Sequence, residues 1–483
     1  MESRLKMQFL WFNRKLLIES LNLPSFFDRF LRLAFINILS NLMVPLAGLL
    51  SVAFLGHLGE IRHLAGVTLA TIIFNYLYRA LGFLRIATTG ITAQAEGRDA
   101  RDDVLLALLR NGLLALILGL GILLLQYPLG IIGFSLLSAA PMVKSSALAY
   151  YDTRILGAPA VLLNFVLIGW FLGREKSGKV LLMSIVGNGA NIVLDYLLII
   201  HLGLESGGAG LATSISQLLM CLVGLILVCR EVKLQEIVKV SEQLKLSAFN
   251  NTLILNRDLF IRTLVFLSAF SLFTNLSALM GTETLAENAV LLQVFSLVVY
   301  LIDGLAFATE SLAGNFKGQE ATENFLPLLK LAGTIGFIFG LSSATAFILF
   351  PEPLFTLLTN HQELFSYLNS HVFWLLPVLG FGSIAFILDG YFLGLAEGRL
   401  IRNTALISTF VGFIPLAIIA WQCHNSSWLW LALSCFMLTR AVLLSLQVPK
   451  TLKHSNLIEN ESSATSMANS PFSIGSPVVS GNR

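Results

Sequence analysis

The stretch GWFLG at residues 169–173 recurs as GYFLG at residues 390–394, 221 residues further along the chain. Three shorter matches have the same offset: Leu64-Ala65 with Leu285-Ala286, Ala87-Thr88 with Ala308-Thr309, and Gly97 with Gly318. One constant offset over several segments is hard to obtain by chance and is typical of an internal repeat. The sequence therefore predicts two similar halves in tandem.

The composition is that of an integral membrane protein. Of the 483 residues, 56% are hydrophobic and 12% are charged, whereas about 25% are charged in ordinary soluble domains. Mean hydropathy is +0.80. A net charge of +3 gives no electrostatic footprint for nucleic acid, so we expect no such partner. The cysteines lack metal-ligand spacing, and we interpret them as packing residues with no metal site: Cys221, Cys229, Cys423 and Cys435.

A bilayer core requires about 20 apolar residues per helix, and the chain contains twelve such runs. The predicted spans are residues 34–56, 64–92, 104–126, 148–173, 179–201, 208–229, 258–280, 286–313, 327–350, 368–394, 402–422 and 427–448. We expect an all-α integral membrane protein with twelve transmembrane helices in two six-helix bundles. Because six is even, the halves keep one orientation and form a parallel pseudo-two-fold repeat. Two such bundles can rock about a central cavity, as alternating access requires.

Lysine and arginine are concentrated in alternate connections, and the intervening loops have one basic residue or none. The basic connections are residues 97–103, 174–179, 230–257, 314–326 and 395–402. By the positive-inside rule, both termini are predicted to be cytosolic. The expected parts are a cytosolic leader (1–30), an N-terminal six-helix bundle (31–230), a cytosolic linker (231–257), a C-terminal six-helix bundle (258–449) and a disordered cytosolic tail (450–483).

Ionisable residues inside spans are costly and mark functional sites by default. Asp195 lies within the fifth span, and Asn191 precedes it by four residues on the same helix face. We interpret this pair as a pocket for a coupling ion; a structural aspartate hydrogen-bonded between helices is the alternative. Five others lie within about two turns of a predicted helix end, where long side chains reach the interface, and are interpreted as structural: Arg110, Asp152, Arg154, Arg262 and Arg440.

The spans of the second half are acidic where those of the first are not. Asp303 and Glu310 are seven residues apart, hence two turns along one helix, and Asp389 lies in the tenth span. Their repeat equivalents are Gly82, Thr89 and Ile168. Two interpretations remain open. These carboxylates either face a cavity and attract cationic substrates, or form interhelical and gating salt bridges with Arg79 or Arg85.

Several motifs together resemble the multidrug and toxic compound extrusion (MATE) family, specifically its DinF-like branch, over roughly residues 30–450. They are SNLM at 40–43, VPLAGL at 44–49, GHLG at 56–59, FLR at 83–85, TTGITAQA at 88–95, NIVLD at 191–195, NRD at 256–258 with Arg262, DG at 303–304 and LDG at 388–390. The resemblance implies a V-shaped pair of six-helix bundles. It also implies drug export against an inward flow of protons or sodium.

The resemblance further implies a cation site in the first half. In that family the site combines a first-span aspartate with an aspartate and an asparagine of the fifth span and a threonine of the sixth. Asp195, Asn191 and Thr213 match the last three, but Ser51 occupies the position of the first-span aspartate. A serine can coordinate a cation but carries no titrating charge at physiological pH. Either Asp195 couples alone, or coupling has moved to the second half, or coupling is weak.

The predicted function is antiport. The protein would export small, cationic or amphiphilic organic compounds, such as drugs, toxins or secondary metabolites, in exchange for protons or sodium, with no cofactor beyond that ion. We expect a monomer in the lipid bilayer of the inner (plasma) membrane. A flippase-like exporter of a lipid-linked precursor is the alternative. An enzyme is not expected, because DDxxD, HxxxD and HExxH motifs are absent from the sequence. A receptor or scaffold role would not account for the buried carboxylates.

Overall fold

The computed structural model describes residues 24–58, 60–137, 139–242, 246–356, 368 and 370–452. Twelve helical segments in this part are long and apolar enough to cross a membrane, which confirms the predicted number. We number them spans 1 to 12: Phe27–Gly56, Ile61–Gly97, Arg101–Leu124, Pro141–Gly173, Ser177–His201, Glu205–Cys229, Thr252–Leu279, Thr282–Gly318, Thr322–Leu349, Val372–Gly394, Gly398–Cys423 and Ser426–Leu452. Residues 1–23 of the expected leader and 453–483 of the expected tail lie outside the described residues.

The repeat is visible in the ends of the spans. Span 2, Ile61–Gly97, and span 8, Thr282–Gly318, both begin and end 221 residues apart. Spans 5 and 11 begin with the same separation, at Ser177 and Gly398. The two-half architecture predicted from short sequence matches is therefore confirmed at the level of whole helices.

The first span and the connection between the halves contain more helix than expected. Span 1 begins at Phe27, inside the predicted leader. The predicted linker contains helix Leu234–Ser241, and the helix that includes span 7 already begins at Leu246. In the linker helix Val240 is fully buried although charged residues surround it in the sequence. Its apolar face, rather than its charge, determines how this segment folds.

The other helices complete the chain. Span 2 consists of Ile61–Leu81 and Phe83–Gly97, span 9 of the 3₁₀ turn Thr322–Asn324 and Phe325–Leu349, span 10 of the 3₁₀ turn Val372–Trp374 and Leu375–Gly394, and span 12 includes Ser426–Ser445. Two short helices, Gln126–Ser135 and Pro351–Phe355, follow spans 3 and 9. Long apolar runs form helices because the bilayer offers no water to bond the backbone.

Span 4 is broken near its middle. Helix Pro141–Arg154 passes into a 3₁₀ turn, Ile155–Gly157, before helix Ala158–Gly173 begins. Pro159 cannot donate a backbone hydrogen bond to the preceding turn. The hydroxyl of Ser214 in span 6 donates to two carbonyl oxygens at the break, at 2.7 and 3.0 Å. Irregular backbone of this kind is tolerated in membranes where it lines a cavity.

The fifth span of each half contains a π-helical segment. In span 5, Tyr196–His201 follows the regular helix Ser177–Asp195. In span 11, Ser408–Phe413 separates helices Gly398–Ile407 and Ile414–Cys423. Such segments are frequent at functional sites. Because they lie at different depths, the halves differ here despite the repeat.

The two halves touch through the backbones of spans 2 and 8. A Cβ atom added to Gly97 would lie 2.2 Å from the carbonyl oxygen of Asn315, and one added to Gly318 would lie 2.2 Å from that of Gln94. The Gln94 amide also donates to the carbonyl oxygen of Gly394 in span 10, at 2.9 Å. We call this contact the glycine joint. It holds the halves together at one end.

Candidate functional site

Asp195 is the last residue of the regular helix in span 5, directly before the π segment. It is 1% exposed. The hydroxyl of Ser51 in span 1 donates to one of its carboxylate oxygens. The other carboxylate oxygen is buried and has no hydrogen-bond partner in the described part of the chain. The residue that replaces the family's first-span aspartate therefore contacts the carboxylate directly.

The other two residues predicted for this site lie on either side of it. The Asn191 amide nitrogen, one turn before Asp195, is buried without a partner among the described residues. Thr213 donates within its own helix to the carbonyl oxygen of Ala209, at 3.0 Å, and lines a neighbouring cavity. The unpaired carboxylate oxygen and the Ser51 hydroxyl are the kind of oxygen ligands that bind protons and hard cations.

A cavity of about 360 Å³ lies in the first half and reaches the boundary with span 8. Its apolar lining includes Val44, Tyr78, Phe165, Met220 and Phe307. Its polar lining is Asn37, Ser40, Asn41, Arg85, Arg154, Asn164, Ser184, Asn188, Thr213, Ser214 and Gln217. None of the described residues that line it is acidic. The volume and the mixed lining are those of a site for a small organic molecule.

Spans 1 and 5 connect this cavity to Asp195. The hydroxyls of Ser40 and Ser184 are 2.7 Å apart, and both residues line the cavity. Eleven residues further along the same two helices, Ser51 contacts Asp195. Eleven residues correspond to about three helical turns. The cavity wall and the candidate ion site are thus two contacts of one helix pair.

Glu310 connects the halves. One of its carboxylate oxygens lies 3.4 Å from the Arg85 guanidinium of span 2, which also lies 4.0 Å from the ring centre of Phe307. Asp303, on the same helix as Glu310, forms no hydrogen bond or ion pair with the described residues, and Arg79 is exposed. Of the two open interpretations, the geometry of Glu310 matches the salt bridge with Arg85.

Asp389 is shared by two arginines. Its carboxylate lies 2.5 Å from the Arg262 guanidinium of span 7 and also pairs with Arg440 of span 12. Arg440 is 1% exposed, and its guanidinium lies 4.9 Å from the ring centre of Phe266. The interpretation of both arginines as side chains that reach the interface was wrong. The buried carboxylate holds them in the interior, and distance from a helix end does not reveal such a partner.

Arg154 also departs from that interpretation, because it lines the cavity at the break in span 4. Its guanidinium donates to the Tyr150 hydroxyl at 2.6 Å and lies 4.5 Å from the ring centre of Phe74. Gly157 and Pro159 were the sequence signal for the break, since proline disrupts the helical hydrogen bonds of the preceding turn. That signal places Arg154 beside an interruption of the membrane helix.

A parallel repeat of six-span bundles with a polar cavity between its spans is an architecture typical of secondary transporters. The MatE family model matches residues 37–197 and 259–419, once in each half. The chain belongs to this family, the MATE multidrug efflux transporters. It is 33% identical over 418 residues to the DNA damage-inducible protein F of Escherichia coli K12, covering 86% of this chain and 90% of that protein. The predicted family and DinF-like character are confirmed.

More distant relatives agree. The chain is 26% identical over 411 residues to Protein DETOXIFICATION 44, chloroplastic, of Arabidopsis thaliana, covering 82% of this chain and 77% of that protein. A crystal structure of MATE in the bent conformation superposes with a TM-score of 0.79 at 19% identity, over 89% of this chain and 96% of that one. An outward-facing MATE transporter of the MOP superfamily gives 0.78 at 21%, with the same coverage. These structures share the fold.

Proposed function

We propose that this protein is an antiporter that exports a small amphiphilic organic compound in exchange for protons or sodium. The observation that carries the proposal is the contact of Ser51 with the buried Asp195, on the same two helices that form a wall of the cavity. Members of the family are transporters, and no enzymatic activity is proposed. The family match and the similarity to DNA damage-inducible protein F give no support to the lipid-precursor alternative.

Asp195 would couple the two flows by holding the ion. An ion on the free carboxylate oxygen reduces the cost of burying the negative charge. Moving one charge through 100 mV is worth about 2.3 kcal/mol, so an inward ion at this position can drive export. Because the Ser51–Asp195 and Ser40–Ser184 contacts join the same two helices, a change at the first contact would be transmitted to the cavity wall through a shift of span 1 relative to span 5.

Glu310 and Arg85 would act as a gate. Their salt bridge joins spans 8 and 2, which belong to different halves. Because alternating access rocks one half against the other, this pair changes partners during the cycle. Asp303 and Asp389 lie in the same half as Glu310, where we propose that they support the gate. The proposed setting is the inner membrane, with both termini cytosolic and the protein monomeric.

Export by purified protein in proteoliposomes tests the coupling. We suggest three probes that share the dansyl fluorophore and differ in charge: dansyl-taurine carries a sulfonate, dansyl-ethanolamine is neutral and dansylcholine carries a quaternary ammonium group. Imposed proton or sodium gradients should accelerate export by the wild type. Asp195→Asn should abolish the gradient dependence, and Ser51→Asp should strengthen it. The exposed Asp102→Asn on span 3 is the control. Gradient-driven export that persists in Asp195→Asn would show the coupling assignment to be wrong.

A further inference from the structure

The charge of the cavity wall is positive. Two arginines, Arg85 and Arg154, line the cavity, and no described residue in its lining is acidic. Arg85 has a counter-charge in Glu310. Arg154 has no acidic side chain within 4.0 Å in the described part of the chain, and its bonds go to neutral hydroxyls of Tyr150 and Thr71. The cavity therefore contains one arginine, Arg154, that has no carboxylate of the described residues within salt-bridge distance.

Neighbouring aromatic side chains fix the position of the Arg154 guanidinium. The ring of Phe74 lies under its guanidinium at 4.5 Å, and the Tyr150 hydroxyl accepts from one terminal nitrogen at 2.6 Å. Its Nε is buried and has no partner among the described residues. A half-buried cation without a nearby counter-ion is less stable than a paired one, and an anionic ligand would offset that cost with charge-assisted hydrogen bonds.

Neutral ligand groups would also find partners. Asn37 and Asn164 line the cavity and are each 2% exposed. The side-chain amide of each retains a buried atom that has no partner in the described residues. Buried polar atoms are nearly always hydrogen-bonded. These two amides thus point to a ligand with polar groups besides its charge.

The repeat shows that this positive cavity is particular to the first half. The equivalent of Arg154 in the second half is Leu375, which is fully buried. Conversely, the equivalents of Arg262 and Asp389 in the first half are Asn41 and Ile168, and both line the cavity. The positions that hold a salt-bridge cluster in the second half are thus uncharged in the first, where Arg85 and Arg154 are the charged residues of the cavity lining.

We propose that the first-half cavity binds an amphiphilic organic anion, whose carboxylate, sulfonate or phosphate group pairs with Arg154. Its apolar body contacts the rings of Tyr78, Phe165 and Phe307, which line the same cavity. This inference rests on the proposed export function and names its substrate class. It departs from the cationic substrate expected from the acidic spans of the second half, because Asp389 and Glu310 have arginine partners and Asp303 is not part of the cavity lining.

Equilibrium binding of the three dansyl probes to detergent-solubilised protein tests the inference without any gradient. The wild type should bind dansyl-taurine at least about tenfold more tightly than dansylcholine. Loss of a charged hydrogen bond in Arg154→Gln should weaken dansyl-taurine about ten- to a hundredfold, with little effect on dansyl-ethanolamine. Arg154→Lys should restore part of the affinity. Arg110→Gln is the matched control, since Arg110 is half-buried in span 3 and outside the cavity lining.

Three results would overturn the inference: equal or tighter binding of dansylcholine, unchanged dansyl-taurine affinity in Arg154→Gln, or binding of none of the probes. If Arg154→Gln does not fold, the test rests on two other measurements: the dansyl-taurine affinity of Arg154→Lys, and the preference of the wild type for dansyl-taurine over dansylcholine. Selective anion binding together with export that ignores every gradient would reject the antiport proposal and leave this inference standing. Gradient-driven export of dansylcholine, with no export of dansyl-taurine, would support the antiport proposal and reject the inference of an anionic substrate.

Discussion

At the scale of single residues, Asp389 shows how a buried charge can be structural. It accepts from Arg262 and Arg440, which come from spans 7 and 12. Breaking a buried pair by removing one partner is far more destabilising than losing a surface pair, because an uncompensated charge remains. Loss of one arginine therefore leaves Asp389 paired with the other, whereas loss of the Asp389 charge leaves both arginines without this partner.

Neutralising Asp389 should cost more stability than removing Arg440. Asp389→Asn leaves the buried Arg440 and the half-buried Arg262 without a carboxylate, and we expect a loss of about 3–5 kcal/mol. Arg440→Met leaves Asp389 paired with Arg262, so its loss should be smaller. The free energy of unfolding in mixed micelles measures both, and the exposed Arg257→Met is the control. Equal losses for the two variants would contradict a shared carboxylate.

Individual site residues were predictable only where a local pattern marks them. Asp195 and Asn191 are one turn apart in an otherwise apolar span, so the sequence alone indicates them. The partners of Asp389 are 127 and 51 residues away from it. No local spacing reveals such pairs. Proximity to a helix end suggested an interfacial position for Arg262 and Arg440, and the fold overrides it.

At the scale of elements, Glu231 fastens the connection after span 6. Its carboxylate lies 2.5 Å from Arg174 and 2.7 Å from Lys176, and it also pairs with Lys179. Burial and the nearby Arg174 lower the pKa of Lys176. Three basic groups thus converge on one acid, which joins the end of span 6 to the turn between spans 4 and 5.

Removing this acid should loosen the connection. In Glu231→Gln the three basic groups lose their shared partner, and a loss of one or two kcal/mol corresponds to about a five- to thirtyfold larger open population. Limited trypsin digestion should cleave faster after Arg230 and Lys233. Glu242→Gln, at the exposed end of the same segment, is the control. Unchanged cleavage would mean that helix packing alone holds this segment.

The spans were predictable because apolar length is a strong signal, whereas the π segments were not. Hydropathy fixed twelve spans to within several residues at most ends. It gave no sign of the π segment Tyr196–His201, because hydropathy measures how apolar a run is and not the spacing of its backbone hydrogen bonds. The linker helix Leu234–Ser241 was missed because its charges were counted before its apolar face was considered.

At the scale of the whole molecule, the glycine joint determines how closely the halves approach. A methyl group on Gly97 would meet the backbone of span 8 at 2.2 Å, whereas one on Gly112 in span 3 has nothing within 4 Å. Gly97→Ala should therefore slow export and lower stability. Gly112→Ala should stabilise the helix by up to about 1 kcal/mol. Export rates and unfolding free energies distinguish the two, and equal behaviour would contradict a close joint.

The native cysteines test the orientation of the whole chain. With both termini cytosolic, span 6 ends inside at Cys229 and span 11 ends outside at Cys423; both thiols are exposed in the structure. A membrane-impermeant maleimide applied to spheroplasts should label Cys423 and spare Cys229 until the membrane is opened. Cys423→Ser and Cys229→Ser assign the signals. Labelling in the opposite order would invert the proposed topology.

The parallel arrangement of the halves followed from one constant offset, because six spans preserve orientation. Which half holds the cavity did not follow. The halves differ at two equivalent positions of the repeat. These positions are Asn41 and Ile168 in the first half and Arg262 and Asp389 in the second. Only the packed structure shows that the charged set forms a salt-bridge cluster and that the neutral set lines open space.

Span 8 is longer than the hydrocarbon core of a bilayer is thick. Its 37 residues extend about 55 Å, against a hydrocarbon core of about 30 Å, and its apolar run ends near residue 313. We therefore expect the contact of Gly97 with Gly318 to lie beyond the hydrocarbon core, on the aqueous side of the lipid. Excluded osmolytes such as sucrose favour buried contacts. The balance between open and closed forms at this end should therefore respond to osmotic stress more than to acyl-chain composition.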